Sequence, residues 1–182
     1  MAFLQIDYKS EALMRGVNIK VILPSDGMAG KWEPPYKTLY LLPGYSATAT
    51  ELITYLGLRG QSELKGIAIV LPDGENLFYQ DLPDRMTFYS TYVGKELVEV
   101  TRKMLPLSTK REDTFIGGIS MGGYGALYNG FKYRDTFSKV VAFSPASDAY
   151  MLLAEEDAPG FSRKQFEGIF GSKEAYYGSE CD

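Results

Sequence analysis

The 182-residue sequence contains no histidine and a single cysteine, Cys181, next to its last residue. One cysteine excludes an intrachain disulfide and fits a reducing compartment, so a cytoplasmic location is expected. With no imidazole, one thiol and no spaced cluster of carboxylates, the usual zinc ligand sets are missing, and neither a metal nor another cofactor is expected. No apolar run approaches the roughly 20 residues needed to cross a bilayer. Met1–Asp7 lacks a basic segment leading into an apolar one. Neither a membrane partner nor a signal peptide is therefore expected. Lys and Arg form no cluster, and 19 basic residues stand against 23 acidic ones, a formal charge of −4 that argues against nucleic acid as a partner. Repeats, low-complexity tracts and an interdomain linker are also missing, so residues 1–182 read as one domain.

What is present is an ordinary globular composition with many tyrosines, 14 in all. Tyrosine suits pocket walls and interfaces, and equally a tyrosine-rich core. Two strands are predicted near the start, Phe3–Tyr8 and Val17–Leu23, joined by a polar turn ending at Gly16. In the second, Val17, Ile19, Val21 and Leu23 alternate with Asn18 and Lys20, the period of a half-buried strand. A loop rich in Pro and Gly follows from Ser25 to Tyr36. Four short apolar runs come next: Leu39–Leu42, stopped by Pro43-Gly44; Ile67–Leu71, stopped by Pro72-Asp73-Gly74; Phe115-Ile116; and Val140–Phe143. Runs apolar on both faces suit parallel strands covered on each side.

Helical patterns lie between them. Val93, Leu97, Val100 and Met104 share one helix face, which Pro106 stops. Thr50–Leu58 and Gly122–Phe131 are further candidates. Ser162-Arg163-Lys164-Gln165 matches a capping box opening a helix through Phe170, with Gly171 as its stop. Glu155-Glu156-Asp157 reads as a solvated turn. Strands alternating with helices predict an α/β domain with a mostly parallel sheet.

The chemistry concentrates at Gly118-Ile119-Ser120-Met121-Gly122, which fits G-x-S-x-G. A β-branched and aromatic run precedes it, and a glycine-rich helix start follows. Such a turn from strand to helix is so sharp that the serine takes a strained backbone conformation and its neighbours must lack side chains. It lifts the hydroxyl clear of the sheet and aims the next N–H groups at the same point, at a helix N-terminus. The competing reading is a glycine-rich turn with a structural serine.

Gly-Ile-Ser-Met-Gly-Gly-Tyr-Gly-Ala-Leu at 118–127 resembles the elbow of the esterase D group, which includes S-formylglutathione hydrolases, small bacterial acyl esterases and feruloyl or acetylxylan esterases. Leu39–Gly44, Val70–Gly74 with the aromatic stretch to Tyr92, and Phe143–Ala146 resemble that family at corresponding places. The resemblance implies an α/β-hydrolase fold, a mostly parallel sheet with helices on both faces, and a serine esterase acting on a small-molecule ester. It implies Ser120 as nucleophile forming an acyl-enzyme, with the N–H groups of Met121 and Tyr45 as the oxyanion hole. At Pro43 the family usually has histidine, a structural residue; proline has no N–H and fixes φ, so the loop carrying Tyr45 is set differently. On the aromatic stretch, which includes Phe78 and Phe88, Tyr79, Tyr89 and Tyr92 are candidates for the substrate pocket; packing the loop down is the equal alternative.

A serine hydroxyl is a poor nucleophile near neutral pH without a base in hydrogen-bond reach. Members of the resembled family continue beyond the position of Asp182, with further strands that bring an acid and then a histidine. The sequence therefore reads as an α/β-hydrolase domain missing its C-terminal strands. No lysine stands at a telling spacing from Ser120, and Asp148 has no histidine to orient. Loss of triad members leaves about 10³–10⁴-fold catalysis over water, so little turnover is expected from these residues alone. The Lys139–Phe143 strand should form an apolar sheet edge, through which a homo-oligomer is expected. A non-catalytic binding or scaffold protein on the same fold is the second reading, and acyl transfer of the mycolyltransferase type a third.

Overall fold

The computed structural model describes residues 1–26, 32–148, 150 and 162–182. Strands β1 (Ala2–Ser10) and β2 (Arg15–Leu23) form an antiparallel hairpin in register from Ala2–Leu23 to Ser10–Arg15. The alternation of Val17, Ile19 and Val21 with Asn18 and Lys20 sets this register, because a slip of one residue would turn the apolar set outward. Strand β3 (Lys37–Leu42) leads to two helices, α1 (Ala49–Tyr55) and α2 (Leu58–Lys65), and then to β4 (Ile67–Pro72). Beyond β4 the chain forms a small antiparallel pair, β5 (Asp81–Leu82) and β6 (Thr87–Phe88), before α3 (Tyr89–Thr91). A π-helical turn, Tyr92–Glu96, joins α3 to α4 (Leu97–Met104). Strand β7 (Thr114–Ile119), helix α5 (Met121–Lys132) and strand β8 (Lys139–Phe143) follow, and α6 (Arg163–Phe170) and α7 (Lys173–Tyr176) come last.

The six long strands make one sheet in the order β1-β2-β4-β3-β7-β8. Strands β4, β3, β7 and β8 are mutually parallel, and β2 joins β4 antiparallel. The sheet is thus mostly parallel, as the short two-faced apolar runs predict. Its core is split by face. Tyr40, Leu42, Ala68, Val70 and Ile116 meet α4 and α5 on one side, while Ile22, Leu41, Ile69 and Leu71 meet α1 and α2 on the other. Each such aliphatic side chain taken fully out of water contributes about 1.5–3 kcal/mol, so both layers are needed to hold the sheet flat against its helices.

Two expectations shift. The helix expected over Thr50–Leu58 forms as Ala49–Tyr55, and a second helix that the sequence did not suggest, Leu58–Lys65, follows Gly57, which sits in the left-handed region with φ 60°. The helix after the π turn buries Leu97, Val98 and Thr101, whereas Met104 is exposed. Thr101 takes the inward place because its hydroxyl, donating to the Leu97 carbonyl, accepts the buried Tyr40 hydroxyl at 2.8 Å. The capping box at Ser162 and Gln165 is formed as read, with Gly171 as C-cap. Glu155-Glu156-Asp157 lies outside the described residues.

Among the described residues β8 pairs only with β7, and Val141 and Phe143 are exposed on the side of α1 and α2. No helix among them is long and apolar enough to cross a membrane.

Candidate active site

The parallel strands all end at the same edge, and there β7 runs into α5 through Ser120 alone. Ser120 has φ 56° and ψ −117°, a region that costs a non-glycine residue about 1–3 kcal/mol. Three hydrogen bonds hold it in place: its N–H donates to the Phe143 carbonyl at 2.9 Å, and its own carbonyl accepts the Tyr124 and Ala146 N–H groups at 3.0 and 3.1 Å. The flanking glycines are a steric requirement. A Cβ at Gly118 would collide with the Gly122 carbonyl, and one at Gly122 with the carbonyls of Leu42 and Pro43. The outcome is an exposed serine whose hydroxyl makes no hydrogen bond among the described residues. Met121 is the first residue of α5, so its N–H lacks an intrahelical acceptor and points out of the helix beside Ser120.

The loop after β3 comes up against this elbow. A Cβ placed on Gly44 would lie 3.5 Å from Ser120 Cβ and 3.3 Å from the Ile119 carbonyl, so the residue before Tyr45 packs directly against the elbow. The loop after β4 fastens the loop after β3 at three points. Tyr79 donates its hydroxyl to the Pro43 carbonyl at 2.8 Å, Asn76 Oδ1 accepts the Ser46 N–H at 2.7 Å, and Asp73 Oδ1 accepts the Ala49 N–H at 2.7 Å. Proline at position 43 thus leaves its carbonyl as the anchoring group.

Tyr79, Tyr89 and Tyr92 are each only 1% exposed, and Tyr89 and Tyr92 meet Arg15 and Asp73 along the wall of a cavity of about 520 Å³ that Ser120 does not line. They stack edge to face in series, with centroids 6.0 Å apart from Tyr79 to Tyr89 and 5.8 Å from Tyr89 to Tyr92. A tyrosine ring buries more area against other rings than against a solvent-filled cleft, and here each ring has such neighbours. The three rings pack the loop into the core, and the edges of Tyr89 and Tyr92 also reach that cavity. Phe78 is buried as well, between Tyr45, Tyr124, Phe166 and Phe170, while Phe88 is half-buried.

Burial pushes the Tyr89 phenol up to about 12, with Glu75 adding to the rise, and lifts Tyr79 and Tyr92 well above the ordinary tyrosine value. All three are neutral near pH 7 and cannot take a proton from a serine. Burial also raises the Cys181 thiol, which lies 3.5 Å from Gln80 Oε1. Asp148 accepts the Tyr150 N–H at 3.0 Å and the Tyr177 hydroxyl at 3.1 Å, so it serves the turn after β8. No group of three or more His, Cys, Asp or Glu side chains among the described residues could hold a metal ion.

The sequence reading missed Asp73, Asn76 and Tyr79 as the fastening of the Tyr45 loop. The signal available was the Pro72-Asp73-Gly74 stop, where an acid at a strand end stands ready to cap a neighbouring helix.

A family model described as "Putative esterase" matches residues 10–168. The chain belongs to this esterase family. An acetyl esterase from Caldicellulosiruptor saccharolyticus is 35% identical over 190 residues, covering 100% of this chain and 71% of its own length. An S-formylglutathione hydrolase from Paracoccus denitrificans is 28% identical, with 92% of this chain and 63% of its own length covered. Among solved structures, the fluorophosphonate-binding serine hydrolase FphF of Staphylococcus aureus superposes with a TM-score of 0.84 at 29% identity, over 100% of this chain and 70% of that one. The chain therefore spans between 63% and 71% of the length of these relatives. This esterase has the α/β-hydrolase fold that the elbow motif implies, and it is a serine ester hydrolase by family.

Proposed function

We propose that Ser120 is the nucleophile of a carboxylic ester hydrolase and that the N–H groups of Met121 and Tyr45 form its oxyanion hole. The observation that carries this reading is the strained, exposed conformation of Ser120 between two glycines that admit no Cβ. Strain of this kind persists only where the surrounding fold overdetermines it, and three backbone hydrogen bonds do so here.

In the reaction the Ser120 oxygen bonds to the ester carbonyl carbon, and the carbonyl oxygen becomes an oxyanion between the two N–H donors. Each such donor is worth about 3 kcal/mol in the transition state. The hydroxyl proton passes to a base, the ester C–O bond breaks, and the alcohol leaves with that proton. Water then cleaves the acyl-enzyme by the same steps in reverse. The 182 residues contain no histidine, so the base is a group from outside them, an imidazole by the chemistry of the triad. The relatives suggest acetyl, formyl-thio and other small acyl esters as substrates, and the single cysteine supports a cytoplasmic location.

The experiment is labelling by a fluorophosphonate probe, the reagent class bound by the S. aureus neighbour. Added imidazole is expected to speed labelling of the wild-type chain and to leave Ser120→Ala unlabelled. Equal labelling of both would remove Ser120 from the mechanism. Failure to label even with imidazole would favour a non-catalytic binding protein on this fold, a reading that the lack of histidine supports.

A further inference from the structure

Tyr45 is the wall shared by two cavities of opposite character. One, of about 360 Å³, is apolar and includes Ala47, Leu52 and Ile119, the residue before Ser120. The other, of about 410 Å³, is polar and is lined by Glu75, Asn76, Arg85, Thr87 and Gln165. Its walls come from the loops after β3 and β4, the connection from β5 to β6, and α6.

The hydrogen-bonding inventory of the polar cavity is one-sided. Glu75 is ion-paired with Arg15, so its charge is already matched. Asn76 uses its carbonyl oxygen on the Ser46 N–H and one amide N–H on Ser46 Oγ at 3.4 Å, and Gln165 uses its carbonyl oxygen on the Ser162 N–H at 3.3 Å, which leaves one N–H of Asn76 and the amide N–H groups of Gln165 as free capacity. Thr87 donates its hydroxyl to the Arg85 carbonyl at 3.2 Å. The Arg85 guanidinium has no carboxylate partner among the described residues. A protein of net charge −4 thus presents, beside the Tyr45 loop, a cavity whose unspent side-chain donors are the Arg85 guanidinium, the Gln165 amide and one N–H of Asn76.

We propose that this cavity is the leaving-group subsite of the esterase, and that Arg85, with Gln165, selects esters whose alcohol or thiol portion carries a carboxylate. The inference rests on Ser120 and Tyr45 being the reacting centre. A carboxylate does not enter apolar walls unpaired, so the cavity with Ile119 is left to the acyl chain. Arginine suits the task because its planar fork meets both oxygens of a carboxylate, whereas lysine offers a point charge.

The test uses a matched pair of probes, 4-acetoxybutyrate and its neutral amide, 4-acetoxybutyramide. Binding to the full chain carrying Ser120→Ala is read by ligand-observed NMR, so no turnover is needed. The carboxylate is expected to bind about tenfold more tightly at low salt, with the preference shrinking as salt rises. Adding Arg85→Gln should abolish the preference, and Arg85→Lys should restore only part of it, with thermal melts confirming that each variant is folded. Equal affinity for the two probes, or a preference that survives Arg85→Gln, overturns the proposal. The fluorophosphonate experiment is independent: a carboxylate preference without labelling sinks the nucleophile and leaves an anion site, whereas labelling without a preference sinks the subsite alone.

Discussion

Two segments meet at the carboxyl edge of the sheet and solve opposite problems. The elbow, residues 117–125, removes side chains so that backbones can come together and one hydroxyl can stand clear. The aromatic stretch, residues 78–92, does the reverse, filling space with rings that are nearly all hidden. The two interlock. A Cβ on Gly125 in α5 would strike the Tyr79 ring, and the hydroxyl of that ring holds the Pro43 carbonyl. The emptied helix face and the bulky ring are therefore one packing unit, and the ring is a strut between α5 and the Tyr45 loop. Residues that look like pocket lining in a list of aromatics act here by fixing where the pocket's backbone lies.

The comparison can be broken most forcefully at the elbow. Gly122→Val would drive a branched side chain into the carbonyls of Leu42 and Pro43, which cannot yield without disturbing β3. A loss of more than about 4 kcal/mol is expected, read as a collapsed urea midpoint or no native fold. A near-normal midpoint would mean that the close approach is not a constraint. On the aromatic side the effect is smaller but carries more information. Tyr79→Phe keeps the ring and orphans the Pro43 carbonyl, for a cost of about 1–3 kcal/mol. It should also slow fluorophosphonate labelling of Ser120, because the Tyr45 N–H loses its anchor. Tyr89→Phe removes a hydroxyl that accepts from Arg15 at 3.0 Å, away from that loop, and should leave the labelling rate unchanged. If both variants label alike, the strut does not exist. The smallest change returns to the serine. Ser120→Gly relieves the φ of 56° and should raise stability by about 1 kcal/mol while abolishing labelling. A fall in melting temperature would show that the strain is not stored at that residue.

Much of this molecule is legible in its sequence, for identifiable reasons. The strands of the sheet appear as short runs apolar on both faces, since each is covered twice. The elbow is readable because its steric demand is absolute, leaving glycine at 118 and 122 as the residues that fit. What could not be read has physical causes too. Helix α2 is polar and interrupted by Gly60, so no apolar stripe betrays it. The π turn at Tyr92–Glu96 takes up more residues than an α turn and so shifts the phase of the helix that follows, which a uniform 3.6-residue period cannot anticipate, and Thr101, not Met104, faces inward. Tyr79, Tyr89 and Tyr92 fit a pocket wall and a core equally well as residue types, and only their neighbours decide. Arg85 and Gln165, 80 positions apart in the chain, share a cavity through tertiary packing that no local pattern encodes.

The strut has a practical consequence for anyone reshaping this catalyst. Because one phenol joins the β3 loop to helix α5, a substitution that removes or resizes a ring anywhere along the series from Tyr92 to Tyr79 can nudge the amide cradle without touching a ligand. Random libraries confined to the visible rim of the cleft would overlook these positions. Screens of the concealed rings would find altered rates accompanied by altered melting temperatures, two quantities that should move together here and separately at the rim.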